Sequence, residues 1–267
     1  MADLAHLTPT VGSAALFSAA GNRFAVLDSF EREPVAPDAL AIRWSAELGL
    51  DGLLVAAAPR AGGACRMQVF NRDGSRAEAC GNGLRCIALF AVERHGAADA
   101  LVIETDAGTR RVEVLRRKGT IVGARAEMGV PIVVERDARI AVGETPVEAT
   151  LVDMGNPHCV VFVADVERAD VARLGPALER HERFPQRSNV SFAELAGPAE
   201  LHVRTWERGV GETAACGTGV SAAAVAAIVR GRARSPVDVK AHGGRLEVRW
   251  DGAGPLHLAG PVEHWAR

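Results

Sequence analysis

Tyrosine is absent from this sequence and lysine nearly so: only Lys118 and Lys240 occur, against many arginines. Lys118 follows Arg116-Arg117 and precedes Gly119 in what reads as an exposed turn, and Lys240 ends the strand-like Val237-Asp238-Val239. Neither setting suits a Schiff-base lysine, which argues against pyridoxal-phosphate chemistry. No apolar run approaches the roughly 20 residues of a membrane-spanning helix. The net charge of −2 provides no basic footprint for nucleic acid or for a membrane surface. No Cys-x-x-Cys occurs, and His and Cys are not grouped at metal-ligand spacing. Met1-Ala2-Asp3-Leu4 lacks a basic leader and the first arginine is Arg23, so a secretory signal is not expected.

The five cysteines are Cys65, Cys80, Cys86, Cys159 and Cys216. An odd number in a chain of 267 residues does not resemble a disulfide scaffold, and it suits a reducing cytoplasm. Cys65, Cys86 and Cys159 lie in or beside apolar runs and read as buried small hydrophobes. The other two are set apart by their surroundings. Ala79-Cys80-Gly81-Asn82-Gly83 and Ala215-Cys216-Gly217-Thr218-Gly219 share the pattern Ala-Cys-Gly-x-Gly, and each runs into a long apolar segment that stops at a glycine, Gly96 or Gly231. Such segments are too long for typical strands and apolar nearly all round, which predicts two buried helices, each entered at its cysteine.

A helix N-terminus carries unpaired amides and partial positive charge, so an anion is favoured there. Each thiol is therefore expected to ionise more readily than a free cysteine, whose pKa is about 8.5. One copy of the pattern is a small residue at a tight turn; two copies, each opening a helix of the same character, point to paired function. Met67–Gly96 and His202–Gly231 both run strand, glycine-containing turn, cysteine, Gly-x-Gly, buried helix, glycine, an internal duplication of domain size. Two similar α/β domains are expected, with one thiol from each on opposite sides of a shared cleft. A small chiral molecule held between them could lose a proton to one thiolate and gain one from the other thiol, inverting a carbon centre.

Other elements follow from periodicity. Strands are expected at Ala15–Phe17, Gly21–Asp28, Leu53–Val55, Met67–Phe70, Ala100–Thr105 and Arg111–Leu115, with a helix at Ala39–Leu48. In the second half strands are expected at Thr150–Asp153, Val160–Val163, Ser188–Phe192, Leu201–Gly209, Leu246–Trp250 and Leu256–Leu258. A helix over Ala169–Glu182 should be interrupted around Gly175-Pro176.

Asn71-x-Asp73-Gly74-Ser75 with Glu78–Cys86, Met154-Gly155-Asn156-Pro157-His158-Cys159-Val160, and Glu207-Arg208-Gly209-x-Gly211-Glu212-Thr213-x-Ala215–Gly219 together resemble the motifs of the diaminopimelate epimerase family. Gly21-Asn22-x-Phe24, Asn189-Val190 and Gly260-Pro261 fit it as well, and the resemblance spans nearly the whole chain in order. It implies two pseudo-symmetric α/β domains, each a curled mixed sheet around a central buried helix with the active site in the cleft between them. Residues 1–123 with 253–267 would form one domain and 124–252 the other. It further implies a cofactor-independent, cytoplasmic epimerase interconverting LL- and meso-2,6-diaminopimelate for lysine and peptidoglycan precursor synthesis. No metal, nucleic-acid or membrane partner is implied, and a homodimer is admitted.

By the same resemblance Cys80 and Cys216 are the catalytic pair. Asn22, Asn71, Gly81, Asn82, Asn156, Asn189, Glu207, Arg208, Gly217 and Thr218 would bind substrate, and His158 and Glu207 would tune the cysteines. The chain departs from the family at Arg23, where Asp is usual, at Gly52, where some members have Gln, and at Trp206, where Tyr is common. Three alternatives stay open at this level: a two-cysteine racemase of proline, hydroxyproline or another amino acid, a thiol switch closing a regulatory disulfide, and a metal-binding protein holding zinc.

Overall fold

The computed structural model describes residues 14–78, 80–143 and 145–265. The amino-terminal Met1-Ala2-Asp3-Leu4 and Ala79 of the first cysteine motif lie outside these. The chain divides into two compact units. One comprises the described residues up to Glu127 and those from Ala259 onward; the other is Met128–Leu258.

The first unit opens with a hairpin, β1 (Ala14–Ala19) and β2 (Asn22–Ser29). Its two-residue turn, Ala20-Gly21, holds φ of 50° and 80°, the doubly positive geometry that matches strand twist. Helix α1 (Pro37–Leu48) starts with proline in its first turn and stops at Gly49, whose φ is 69°. β3 (Gly52–Ala57) then runs parallel to β2, and β4 (Cys65–Asn71) antiparallel to β3. The two-residue β5 (Arg76–Ala77) folds back on β4 and leads into α2 (Gly81–His95). β6 (Ala100–Thr105) lies parallel to β4, and β7 (Gly108–Arg117) and β8 (Thr120–Glu127) continue as a meander. α2 packs against β1, β2, β3, β4, β6, β7 and β8, so the sheet curls around it. Leu84, Ile87, Leu89 and Phe90 of α2 are buried, and each contributes about 1.5–3 kcal/mol by leaving water. Outside the sheet, Trp44 and Leu48 of α1 close a second apolar cluster with Leu53, Val55 and Phe70.

The second unit repeats this order. β9 (Ile132–Val142) and β10 (Thr145–Asp153) pair antiparallel, and β11 (Pro157–Phe162) follows on β10. After α3 (Val171–Glu179), β12 (Asn189–Gly197) lies parallel to β11 and β13 (Glu200–Glu207) antiparallel to β12. The short β14 (Gly211–Thr213) folds back on β13 and feeds α4 (Gly217–Val229), as β5 feeds α2. β15 (Val237–Ala241) and β16 (Gly244–Arg249) complete the curl. α4 packs against β9, β10, β11, β12, β13, β15 and β16. Ala222, Ala223, Ala224, Ala226 and Ala227 are fully buried, small side chains that let the sheet approach the helix closely. The last strands are β17 (His257–Gly260) and β18 (Glu263–His264); β18 pairs with β1 of the first unit, to which it belongs.

Two expectations are corrected. β8 and β9 were not expected as strands. In β9 only Ala138 and Ile140 are fully buried, so its pairing with β10, rather than an apolar face, fixes it. The helix over Ala169–Glu182 is not interrupted at Gly175-Pro176, which lies within the single helix α3. Gly175 serves contact instead: a Cβ there would stand 2.7 Å from Trp206 Cγ on β13. Gly175→Ala is therefore expected to displace the indole and destabilise the protein by about 1–3 kcal/mol in urea unfolding. Unchanged stability would contradict this packing.

Candidate active site

Both cysteines occupy the N-cap position of the helix their unit is wrapped around. In the first unit Cys80 Sγ accepts from the Gly83 amide at 3.3 Å, so sulfur takes one of the orphan N–H groups of the first turn. Close packing explains the glycines. A Cβ on Gly83 would lie 3.0 Å from Leu54 Cδ2, and one on Gly219 would lie 2.7 Å from Thr205 Oγ1. A side chain at Gly219 would force Thr205 or the helix to shift, and one at Gly83 would press on the Leu54 methyl and on Cys80.

Around Cys80, Asn82 is buried and its Oδ1 accepts from Arg85 Nη2 at 2.8 Å, while Arg85 Nη1 reaches the Gly81 carbonyl at 3.4 Å. Asn71 ends β4 in a tight turn, with Nδ2 donating to Ser75 Oγ at 3.0 Å and its carbonyl accepting from the Gly74 amide. Asn22 opens β2, and its Oδ1 is buried without a hydrogen bond. Of the departures from the family pattern, Arg23 donates its backbone N–H to Asp51 Oδ2 at 2.8 Å and lays its guanidinium over Trp265, 4.8 Å from the ring centre. Gly52 is sterically fixed: a Cβ there would meet the Phe70 carbonyl oxygen at 2.6 Å.

In the second unit Cys216 is buried, with Thr218 Oγ1 at 3.5 Å from its sulfur. Here the expected ease of ionisation is corrected. Burial pushes the Cys216 thiol well above its ordinary pKa, and the neighbouring Glu207 carboxylate, which also accepts a hydrogen bond from the thiol, pushes it the same way. Thr218 and the Gly219 amide oppose this but do not outweigh it. The helix terminus is thus overruled by desolvation and a nearby negative charge, neither of which is visible in linear sequence. Glu207 is itself anchored, its Oε1 accepting from Thr213 Oγ1 at 2.6 Å. The three remaining thiols match their reading: Cys65, Cys86 and Cys159 are fully buried, and burial pushes Cys65 and Cys159 to about 12.

The loop after β13 carries Arg208, whose backbone N–H donates to Asn189 Oδ1 at 2.9 Å and whose Nη1 donates to the Gln186 carbonyl at 3.0 Å. Asn189 Nδ2 in turn donates to the Pro157 carbonyl at 3.3 Å, so this amide clamps the loop to the start of β11. Arg208 is exposed and has no ion-pair partner among the described residues, which leaves its fork open to an anion. His158 is buried, and its Nε2 bonds to Asn156 Oδ1 at 3.0 Å. Burial, helped by the charge of Arg208, lowers its pKa to about 3, so the ring is neutral. With Nε2–H donating to the amide oxygen, Nδ1 is a buried acceptor with no hydrogen bond. The hydrogen bond of this ring runs to Asn156 and not to a thiol.

Glu179 at the end of α3 was not anticipated. It is buried; Oε2 accepts from Trp206 Nε1 at 2.8 Å and Oε1 from the Gly209 amide at 2.9 Å. It therefore braces Glu207-Arg208 from both sides, and Trp206, in place of the family's tyrosine, supplies the indole donor. No linear motif marks Glu179, because its partners come from another strand and loop. Among the described residues no group of three His, Cys, Asp or Glu could hold a metal ion, and no helix is long and apolar enough to cross a membrane.

Comparison with solved structures defines the class. A hydroxyproline epimerase from Agrobacterium vitis superposes with a TM-score of 0.71 at 16% identity, covering 95% of this chain and 90% of its own. A PhzF-family phenazine biosynthesis protein from Bacillus anthracis gives 0.72 at 14%, with 95% and 96% covered. At such identities the likeness is one of fold: a two-domain, pseudo-symmetric α/β architecture found among isomerases. The sequence narrows this. Residues 15–134 and 150–265 match the model of the family described as diaminopimelate epimerase. A diaminopimelate epimerase of Desulforudis audaxviator (strain MP104C) is 43% identical over 261 residues, covering 91% of this chain and 93% of its own length. One of Bacillus cereus (strain AH187) is 38% identical over 265 residues, with 91% of each covered. The chain belongs to the diaminopimelate epimerase family and is an isomerase.

The bracing carboxylate offers a test. Burial pushes the Glu179 pKa up, but the bonds from Trp206 and Gly209, with Arg180 and Arg187, outweigh it and hold the pKa below the usual carboxylate value. Its folded pKa lies below its unfolded one, so its stabilisation is complete above about pH 4.3 and is lost as pH falls through that value toward the folded pKa. Glu179→Gln is expected to cost about 1–3 kcal/mol at neutral pH and to flatten the acid limb of stability. A variant as stable as the parent, with the same acid limb, would contradict the bracing role.

Proposed function

We propose that this chain interconverts LL- and meso-2,6-diaminopimelate without a cofactor, with Cys80 and Cys216 as the two proton-transfer groups. The observation that carries the reading is the duplication: the same residue type caps the same central helix in both units of a member of this family. A thiolate removes the α proton, breaking the C–H bond and leaving its electron pair on carbon and the adjoining carboxylate. A thiol then delivers its proton to the opposite face and becomes the thiolate, and the reverse reaction exchanges the roles. The proposal requires both sulfurs to reach one α carbon.

Supporting groups fit this chemistry. Helix N-terminal amides at Gly81-Asn82 and Gly217-Thr218 suit the carboxylate on which charge develops. Arg208, which has no ion-pair partner among the described residues, suits the distal carboxylate. The unbonded Oδ1 of Asn22 suits an ammonium donor, and Asn71, Asn156 and Asn189 complete the binding set. Glu207, hydrogen-bonded to the Cys216 thiol, would tune its proton affinity, and the resemblance gives His158 a part in the same tuning. The reading extends to a cytoplasmic enzyme, supported by five free thiols, working as a homodimer in lysine and peptidoglycan precursor synthesis.

Cys80→Ser and Cys216→Ser are each expected to cut epimerisation of diaminopimelate by about 10²–10⁴-fold with the fold intact. Arg208→Gln should raise KM more than it lowers kcat. Deuterium from heavy water should enter diaminopimelate and not proline. Wild-type turnover in either cysteine variant, or labelling of proline alone, would overturn the assignment.

A further inference from the structure

Arg85 is fully buried inside α2, the one charged residue in the apolar stretch from Leu84 to Val92. A buried guanidinium normally faces a carboxylate, because an uncompensated charge in the interior is costly. Among the described residues Arg85 forms no ion pair. Its hydrogen bonds go to two neutral acceptors, Asn82 Oδ1 and the Gly81 carbonyl, and Nε has none. Helical side chains lean toward the N-terminus, and these two bonds fix the fork beside the first turn, where Cys80 caps the helix. The groups whose charge Arg85 feels are the thiols of Cys86 and Cys80, and burial brings its own pKa down to about 10, still a cation at neutral pH.

Of the acidic groups on the strands packed around α2, Glu113 of β7 pairs with Arg125 of β8, and Glu127 of β8 forms no ion pair with Arg85. Glu104 of β6 accepts from the amides of Arg60, Ala61 and Gly63. Asp28 of β2 pairs with His95, and His264 of β18 pairs with Glu93, both toward the far end of the helix. Of the two thiols, Cys86 is sealed in the core and burial pushes it up, whereas Cys80 is partly exposed and accepts an amide hydrogen bond. The anion that could balance Arg85 is therefore Cys80.

The second unit sharpens the point. Counted from the cysteine, the fifth residue is Arg85 in one helix and Ser221 in the other. Ser221 Oγ donates to the Gly217 carbonyl at 2.8 Å, the counterpart of the Gly81 carbonyl that Arg85 contacts, but it carries no charge. Nine residues before the cysteine stands Asn71 in the first unit and Glu207 in the second. The repeat has thus put a buried cation beside Cys80 and an anion beside Cys216.

We propose that Arg85 is a positioning residue for Cys80: its guanidinium is the fixed counter-charge that keeps Cys80 a thiolate in the substrate-free protein, while Cys216 rests as the thiol. The inference builds on Cys80 and Cys216 as the reacting pair of the preceding section, but its test needs no turnover. Iodoacetamide alkylation of Cys80 is followed by peptide mass spectrometry in Cys216→Ser protein from about pH 5 to about pH 10, and of Cys216 in Cys80→Ser protein. The midpoint for Cys80 is expected at least about one pH unit below that for Cys216. Adding Arg85→Met should raise the Cys80 midpoint by about one unit or more, slowing alkylation at neutral pH about tenfold, with the Cys216 midpoint unmoved; Arg85→Lys, which keeps a cation there, should shift Cys80 less. An unmoved Cys80 midpoint in folded Arg85→Met protein would overturn the proposal. Should that variant fail to fold by circular dichroism, a Cys80 midpoint at or above that of Cys216 in the Arg85-containing proteins would overturn it equally. Unmoved midpoints alongside normal epimerisation by the wild-type protein would sink this proposal alone, whereas shifted midpoints alongside a wild-type protein that does not epimerise diaminopimelate would leave it standing and sink the functional reading.

Discussion

Each unit is organised by a helix that starts inside the protein. Burying a helix terminus is costly, because its first amides have lost water and have no partner within the helix. Here the sheet curls around α2 and around α4 and leaves at each N-terminus a cysteine, a run of glycines and a polar residue. The glycines answer a packing demand, shown by Gly83 against Leu54 and Gly219 against Thr205. The amides of each helix terminus favour an anion.

The same geometry does not make the two thiols alike. Around Cys216, burial and Glu207 overcome the helix terminus and hold the proton on sulfur. Around Cys80, where sulfur accepts from the Gly83 amide, the proposed counter-charge of Arg85 would act in the opposite direction. On the proposed two-cysteine mechanism, a pair that donates from one side while accepting on the other would gain from such a difference, since it would enter catalysis with one proton already correctly placed.

Much of this was legible in the sequence, because the signals were local. The Ala-Cys-Gly-x-Gly repeats, the apolar runs after them and the terminating glycines gave both central helices, and the long motifs gave the family. What was not legible depended on distant partners. β9 alternates poorly and is held by pairing with β10. Pro176 sits inside α3 in a helix pinned by Gly175 against Trp206. Glu179 acquires its role from an indole and an amide contributed by another strand and loop. The charge of Arg85 was plain in the sequence, but its lack of a carboxylate partner needed coordinates.

The central claim is that two different groups handle the departing and the arriving proton. The most direct measurement follows the isotope content of both stereoisomers during the first turnovers of LL-diaminopimelate in heavy water. Thiols exchange with solvent, so two-thiol inversion predicts meso product carrying one deuterium from the outset, while the remaining LL substrate stays protiated until the product pool builds up. Deuterium entering the LL substrate as fast as product forms would mean that one group serves both faces, and the paired-cysteine account would be wrong.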